Sequence, residues 1–221
     1  MRSSSRSIKA AATLLLASLA AAAPAATSPR RLPPVDQCAA EPGFATFKDA
    51  MKRSVDRRDG DGLLVLLAPD VLVNFGGETG RDAFARQWDL KAGSPHELWK
   101  QLGEILALGC AKSNSTLVMP SLALQFDSDA DEDVFDKLIV ASPAAELRAA
   151  PYSASARMAS LSWDIVTGLE RRRQDDWVNV RLADGRIGWV AGRQLRSPLD
   201  YRAVMEKRDG RWTIIAFVAG D

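Results

Sequence analysis

The sequence predicts an α+β fold with a small all-β barrel inserted between a mainly helical N-terminal part and a C-terminal β-hairpin. Three observations predict it. Apolar residues recur at helical spacing through much of the stretch before residue 126. From Lys137 the texture changes to short strands and regularly spaced turns. A last alternating pair of runs, after Ser197, is more chain than such a barrel needs, and an isolated hairpin is marginal in water, so it must pack on the first part. The expected divisions are a leader over 1–26, a Pro-rich tether over 27–37, a helical α+β domain over 38–126, an acidic linker over 127–136, the barrel over 137–197 and the hairpin over 198–221.

The first residues concern address. Arg2, Arg6 and Lys9 precede the run AAATLLLASLAAAA, which is shorter than the ~20 apolar residues a membrane span needs. Ala23 and Ala25 then offer the small residues of an A-x-A cleavage site. This three-part pattern is that of a secretory signal peptide cut near Ala25-Ala26, so the expected location is periplasmic or secreted, with no membrane contact after cleavage. Cys38, in VDQCAA, is not preceded by a lipoprotein signal. The whole chain carries 29 basic and 28 acidic residues. Without the leader's three cations it is slightly acidic, which gives no electrostatic footprint for nucleic acid. Cys38 and Cys110 are the two cysteines, and in an exported chain they are allowed to pair. Spacing alone leaves that pairing open.

Phe44, Phe47, Met51 and Val55 mark the first helix, and Gly60 and Gly62 are expected to break it before a short second one, LLVLLA. Asp70 to Phe75, DVLVNF, reads as a buried strand bounded by Pro69 and Gly76-Gly77. A third helix is expected to start at Thr79, with Phe84 and Trp88 on its buried side. A fourth starts at Ser94-Pro95-His96-Glu97, a capping Ser, a first-turn Pro and a Glu three places on. Leu98, Leu102, Ile105 and Leu106 form its stripe, and Gly109 ends it. GGETG, Gly76 to Gly80, lacks the ending of a phosphate loop and is explained by a turn that needs positive φ.

Asp127, Asp129 and Asp131 fall at the first, third and fifth places of a calcium loop, but Glu132 and Leu138 occupy the places of its Gly and bidentate Glu. A solvated acidic linker is the favoured reading, with weak divalent-ion binding as its alternative. Beyond it, Trp177 to Val190 reads WVNVRLADGRIGWV. Val178, Val180 and Leu182 alternate with Trp177, Asn179 and Arg181, a period of two that buries one face. Asp184-Gly185 is a hairpin signal because its residues tolerate the positive φ of a primed turn. Tyr201–Glu206 and Trp212–Val218, joined by Lys207 to Gly210, form the second hairpin. It is expected to complete one antiparallel sheet with the strand near Val71 to Phe75.

The segment from Lys137 to Ser197 resembles a bacterial SH3-like (SH3b) domain. The residues that carry the likeness are Glu146-Leu147-Arg148-Ala149-Ala150-Pro151 in place of N-V-R-x-x-P, the apolar pair of runs Leu161 to Leu169, Trp177 to Val180, and Asp184-Gly185 through Gly188-Trp189-Val190. Glu146 departs from the family's Asn, so no role carries over to that side chain. The remainder resembles exported proteins of uncertain function that follow this barrel with S-P-[IL]-D-Y-R, here Ser197 to Arg202, and a final A-G-D, here Ala219 to Asp221. The helices, DVLVNF and the last W-x-I strand also resemble the nuclear transport factor 2-like α+β fold. The SH3-like resemblance implies a five-stranded barrel that attaches to cell-wall peptide or another envelope component.

No reaction is legible. Nucleophilic catalysis needs a nucleophile with a positioned base, and His96, the one histidine, has no such neighbour in sequence. Wall-degrading enzymes with these barrels use Cys and His or a His-rich zinc site; here one histidine and two cysteines stand in unsuitable contexts and leave no zinc set of three or four ligands. No pair of carboxylates stands out by an apolar surround as a glycoside-cleaving pair. No catalytic residue, cofactor or metal ligand is therefore predicted. The expectation is a non-catalytic exported binding protein, with Tyr152, Trp163, Trp177 and Trp189 as candidate ligand-binding residues, since aromatic faces give large contact areas. For Trp189 core filling is the favoured reading, and Trp177 is the better candidate for ligand contact. Two alternatives stand beside it. One is an envelope assembly factor that meets a protein partner through Glu170-Arg171-Arg172-Arg173. The other is a small-ligand or hydrolytic pocket in the α+β part, lined by Trp88, Trp99 and Phe75.

Overall fold

The computed structural model describes residues 29–90, 96–126, 134–169 and 176–220. The expected leader, the Ser94-Pro95 cap, the acidic run 127–133, the Glu170 to Arg173 run and Asp221 lie outside the described residues. The fold is α+β, with helices and two mostly antiparallel sheets.

Helix α1 (Phe44–Arg57) buries Phe44, Phe47, Met51 and Ser54, the face its apolar spacing predicts. It ends at Arg58 in the left-handed region rather than at the glycines. Gly60 and Gly62 belong instead to α2 (Gly60–Leu66), because Asp59 caps it, accepting from the Gly62 N–H at 2.9 Å. The expected LLVLLA helix is thus shifted toward the N-terminus. Leu67 and Ala68 leave it for strand β1 (Leu67–Leu72), where Leu67 pairs with Ile214. The strand expected over 70–75 accordingly begins and ends three residues earlier. Pro69 sits inside it, exposed on an edge strand where its missing N–H is tolerated. Helix α3 (Arg81–Gln87) starts after Gly80 rather than at Thr79, which bridges back to Leu72. Helix α4 (His96–Ala107) buries Leu98, Trp99, Leu102 and Ile105, so Trp99 joins the stripe and Leu106 sits at its margin.

Strands β2 (Ala111–Ser113) and β3 (Thr116–Met119) were not expected; they turn at Asn114, which has positive φ. A short helix α5 (Leu122–Gln125) follows, then a single 3-10 turn, Val134–Asp136. After the second sheet the chain returns as β11 (Arg202–Arg208) and β12 (Arg211–Val218). The first sheet runs β1-β12-β11-β3-β2. The hairpin does join the first part, but the sheet is not wholly antiparallel: β1 pairs parallel with β12. Its core holds Phe44, Met51, Phe84, Leu98, Leu117, Met205 and Phe217. Trp88 and Trp99 are buried there too.

The second sheet comprises β4 (Lys137–Val140), β5 (Ala145–Arg148), β6 (Arg157–Leu161), β7 (Ile165–Gly168), β8 (Trp177–Arg181), β9 (Ile187–Ala191) and β10 (Leu195–Arg196). Every pairing in the order β10-β4-β7-β8-β9-β5-β6 is antiparallel. Val140, Leu147, Leu161, Val166, Val178, Val180 and Val190 gather on one face as a second core. The sheet nevertheless stays open, with β10 and β6 as its two edges, so the expected closed five-stranded barrel is corrected to an open seven-stranded sheet. Its hairpin turn also differs. Gly185 has φ of 87° while Asp184 does not take positive φ, and the Leu182 N–H donates to the Arg186 carbonyl. This is a three-residue loop, not a primed two-residue turn.

Residues 30–37 are no free tether. Arg31 bridges to Asp164, the Leu32 N–H donates to the Trp163 carbonyl at 2.8 Å, and Asp36 bridges to Cys110. This strap touches both sheets. Leu32, Leu108, Leu122 and Ile139 form a third apolar cluster along the seam. Cys38 and Cys110 form a disulfide with Cα atoms 5.7 Å apart.

Candidate functional site

Alternation on β8 sends Val178 and Val180 into the core and leaves Trp177, Asn179 and Arg181 on the outer face. On β9, Ala191 stands opposite Trp177 and Trp189 opposite Asn179. Trp189 therefore belongs to this outer face and is half-buried, outside the second core; the core role weighed for it does not hold. Arg148 of β5 lies opposite Trp189, and β6 sets Arg157 opposite Arg148 and Ser160 opposite Glu146. The register of four strands thus brings Trp177, Trp189 and a group of charges to one face.

A cleft of about 580 Å³ opens there. Trp177, Ala191, Glu146, Arg148, Arg157, Arg193 and the strap residue Arg31 are among the residues that line it. Glu146 pairs with Arg148 and lies 3.6 Å from Arg157. Arg148 also donates to the Ser155 carbonyl at 2.5 Å, which pins the loop after β5. Arg31 is held by the buried Asp164 at 3.2 Å. Arg193 is exposed and makes no ion pair or side-chain hydrogen bond among the described residues. With four arginines against Glu146, the lining is basic.

Of the four predicted aromatics the structure brings only Trp177 to this cleft. Tyr152 is 57% exposed in the loop after β5. Trp163 packs half-buried against the seam cluster, and its φ of 61° follows from the tight link between β6 and β7. Arg148, Arg157 and Arg193 were missed. For Arg148 and Arg157 the signal is the register that aligns β5, β6 and β9, which periodicity within any one strand does not contain; Arg193 follows β9 in a 3-10 turn.

The alternative pocket is not assembled from its expected lining. Trp88 and Trp99 are core residues, whereas Phe75 is half exposed with the Arg202 guanidinium 5.6 Å above its ring. Tyr201, Trp88, Phe84 and Phe217 form a ring cluster, with Tyr201 stacked on Phe217 at 5.0 Å. Burial raises the Tyr201 phenol above its usual range, against a lowering hydrogen bond from Gln87. A second cleft, of about 480 Å³, lies at the seam between α4 and β10, over the buried Arg196. Both cysteines are bonded, His96 is exposed on the first turn of α4, and no group of three or more His, Cys, Asp or Glu side chains is placed to hold a metal ion among the described residues. No described helix is long and apolar enough to cross a membrane.

No family model and no curated protein matches the chain. Solved structures similar to it include a five-substitution variant titled Rd1NTF2_05, at 13% identity and a TM-score of 0.26, covering 80% of this chain and 96% of that one. Another is a protein of unknown function with a cystatin-like fold from Nostoc punctiforme, at 11% identity and a TM-score of 0.24, covering 80% of this chain and 87% of that one. At such TM-scores neither likeness carries an argument about this molecule.

Proposed function

We propose that the protein is an exported, non-catalytic binding protein whose second sheet is an SH3-like module attaching to cell-wall peptide or another envelope component. The observation that carries this reading is the cleft, where Trp177 faces a small opposite residue, Ala191, and charged groups converge beside it. An indole wall with a few oriented polar groups is the usual make-up of a recognition site. The sequence motifs from Glu146 to Pro151 and from Asp184 to Val190 support the SH3-like assignment, and the leader pattern supports export.

Co-sedimentation of the mature chain with purified cell-wall sacculi tests the reading. We expect the protein in the pellet, and Trp177→Ala to weaken retention by about tenfold or more, the size expected of a buried aromatic anchor. Tyr152→Ala, outside the cleft, should leave retention unchanged. Full recovery of the unaltered protein in the supernatant would defeat the envelope assignment.

A further inference from the structure

The charges around Trp177 do not balance, and the imbalance identifies the chemistry of what the cleft takes. Glu146 is shared between Arg148 and Arg157, so one carboxylate answers two guanidinium groups. Arg31 has its own partner in Asp164. Arg193 has none among the described residues, yet it lines the same cleft. The cleft therefore presents about two uncompensated positive charges. Guanidinium groups meet carboxylates in a planar, two-bond geometry, and such charge-assisted bonds are stronger than neutral ones. Trp177, its cross-strand partner Ala191, and Pro143, Ala144 and Ala145 line the same cleft. The alanines and Trp177 suit a small apolar group, and Ser153, Ser160, Ser162 and Gln194 of the same lining suit the amides of a peptide.

We infer that the cleft binds a peptide carrying a free carboxylate next to a small apolar residue, with Arg193 and Arg157 holding the carboxylate and Trp177 covering the apolar residue. Phosphate polymers are disfavoured, because the four arginines lie in one cleft rather than along a track and the whole chain is close to neutral. The inference rests on the binding role proposed for this cleft and specifies its ligand.

Isothermal titration with N-acetyl-alanyl-alanine and with its C-terminal amide tests it. The acid should bind at least tenfold more tightly than the amide, and its affinity should fall as salt is raised. Arg193→Gln should weaken the acid about three- to tenfold without changing folding, since that side chain makes no internal bond, and should leave the amide unaffected. Trp177→Ala should weaken both. Equal affinities for acid and amide, indifference to Arg193→Gln, competition by inorganic phosphate as strong as by the acid, or no binding of the acid at millimolar concentration would each overturn the inference. Sacculi whose carboxylates have been amidated separate it from the envelope reading. Undiminished retention on them refutes carboxylate recognition and leaves envelope binding standing. Arg193-dependent binding of the acid, with no retention on any sacculi, supports the carboxylate site and removes the envelope ligand.

Discussion

Tyr201 shows how a single ring ties pH to stability in this molecule. It stacks on Phe217 and meets Trp88 at 5.0 Å, so its phenol is partly withdrawn from water. Burial is the largest cause of its raised pKa, Gln87 opposes it, and the charge of Glu97 adds to it. A group whose folded pKa lies above its unfolded value of about 10 stabilises the fold fully below that pH, and that stabilisation is lost as pH climbs through the folded value. Urea midpoints measured from pH 9 to 11 should therefore fall. Tyr201→Phe should flatten the fall, because the ring that titrates is then gone. Identical slopes for the two proteins would contradict this account. Asp184 illustrates the opposite sign at the surface: its bond to Arg186 lowers its pKa, so that small contribution is lost as pH falls.

Strand β9 is the element on which the cleft depends, because it pairs with β8 on one side and β5 on the other. The approach to β5 is close at Gly188. A Cβ there would lie 2.7 Å from the Arg148 carbonyl oxygen and 2.8 Å from Leu147 Cγ. Gly188→Ala must push the two strands apart, and overpacking of this kind costs about 1–3 kcal/mol. Thermal or urea unfolding should show that loss. Ile187→Ala, half exposed on the same strand, should stay within about 0.5 kcal/mol of the parent. If the two variants matched, the close approach would have no energetic weight. The β8–β9 hairpin was legible in sequence because Val178, Val180 and Leu182 repeat every second residue on a half-buried surface. The loop type was not. Asp184-Gly185 and Asp209-Gly210 are the same dipeptide, yet only the second takes positive φ at both residues. The dipeptide alone therefore does not select the loop type. Strands β2 and β3 were hidden because Lys112, Ser113 and Asn114 are polar and the runs are short. Two of the cleft's arginines were hidden for a related reason: Arg148 and Arg157 meet only through long-range pairing, which a local period does not encode.

At the scale of the whole molecule, the two sheets are held by three devices: the strap over 30–37, the seam cluster around Leu32, Leu108, Leu122 and Ile139, and Arg196. The Arg196 side chain is 4% exposed, donates to the Glu104 carboxylate at 3.1 Å and to the Tyr201 carbonyl, and leaves its Nε without a partner among the described residues. Burial lowers its pKa, while Asp200 and Glu104 counter that effect. Glu104→Gln should therefore destabilise by about 1–3 kcal/mol. Adding Arg196→Met should cost no more, because the buried charge is then gone. Additive losses would mean that the pair is not coupled. The disulfide acts on the same assembly from the other end. It ties Cys38, where the strap ends, to Cys110, just after α4, across 72 residues that include α1 to α4. Closing a loop of that length stabilises by about 4 kcal/mol on the chain-entropy model, a large share of an ordinary domain's 5–15 kcal/mol. Reduced and alkylated protein, or the double replacement Cys38→Ser with Cys110→Ser, should unfold at a distinctly lower urea concentration with little change in slope. Because the Asp36 bridge and the Gln37 N–H both meet Cys110, the strap should loosen with the bond. Protease cleavage near Arg30 and Arg31 should then accelerate before global unfolding, and the cleft should lose Arg31 from its lining. Unaltered cleavage rates after reduction would show that the strap is held by the seam alone.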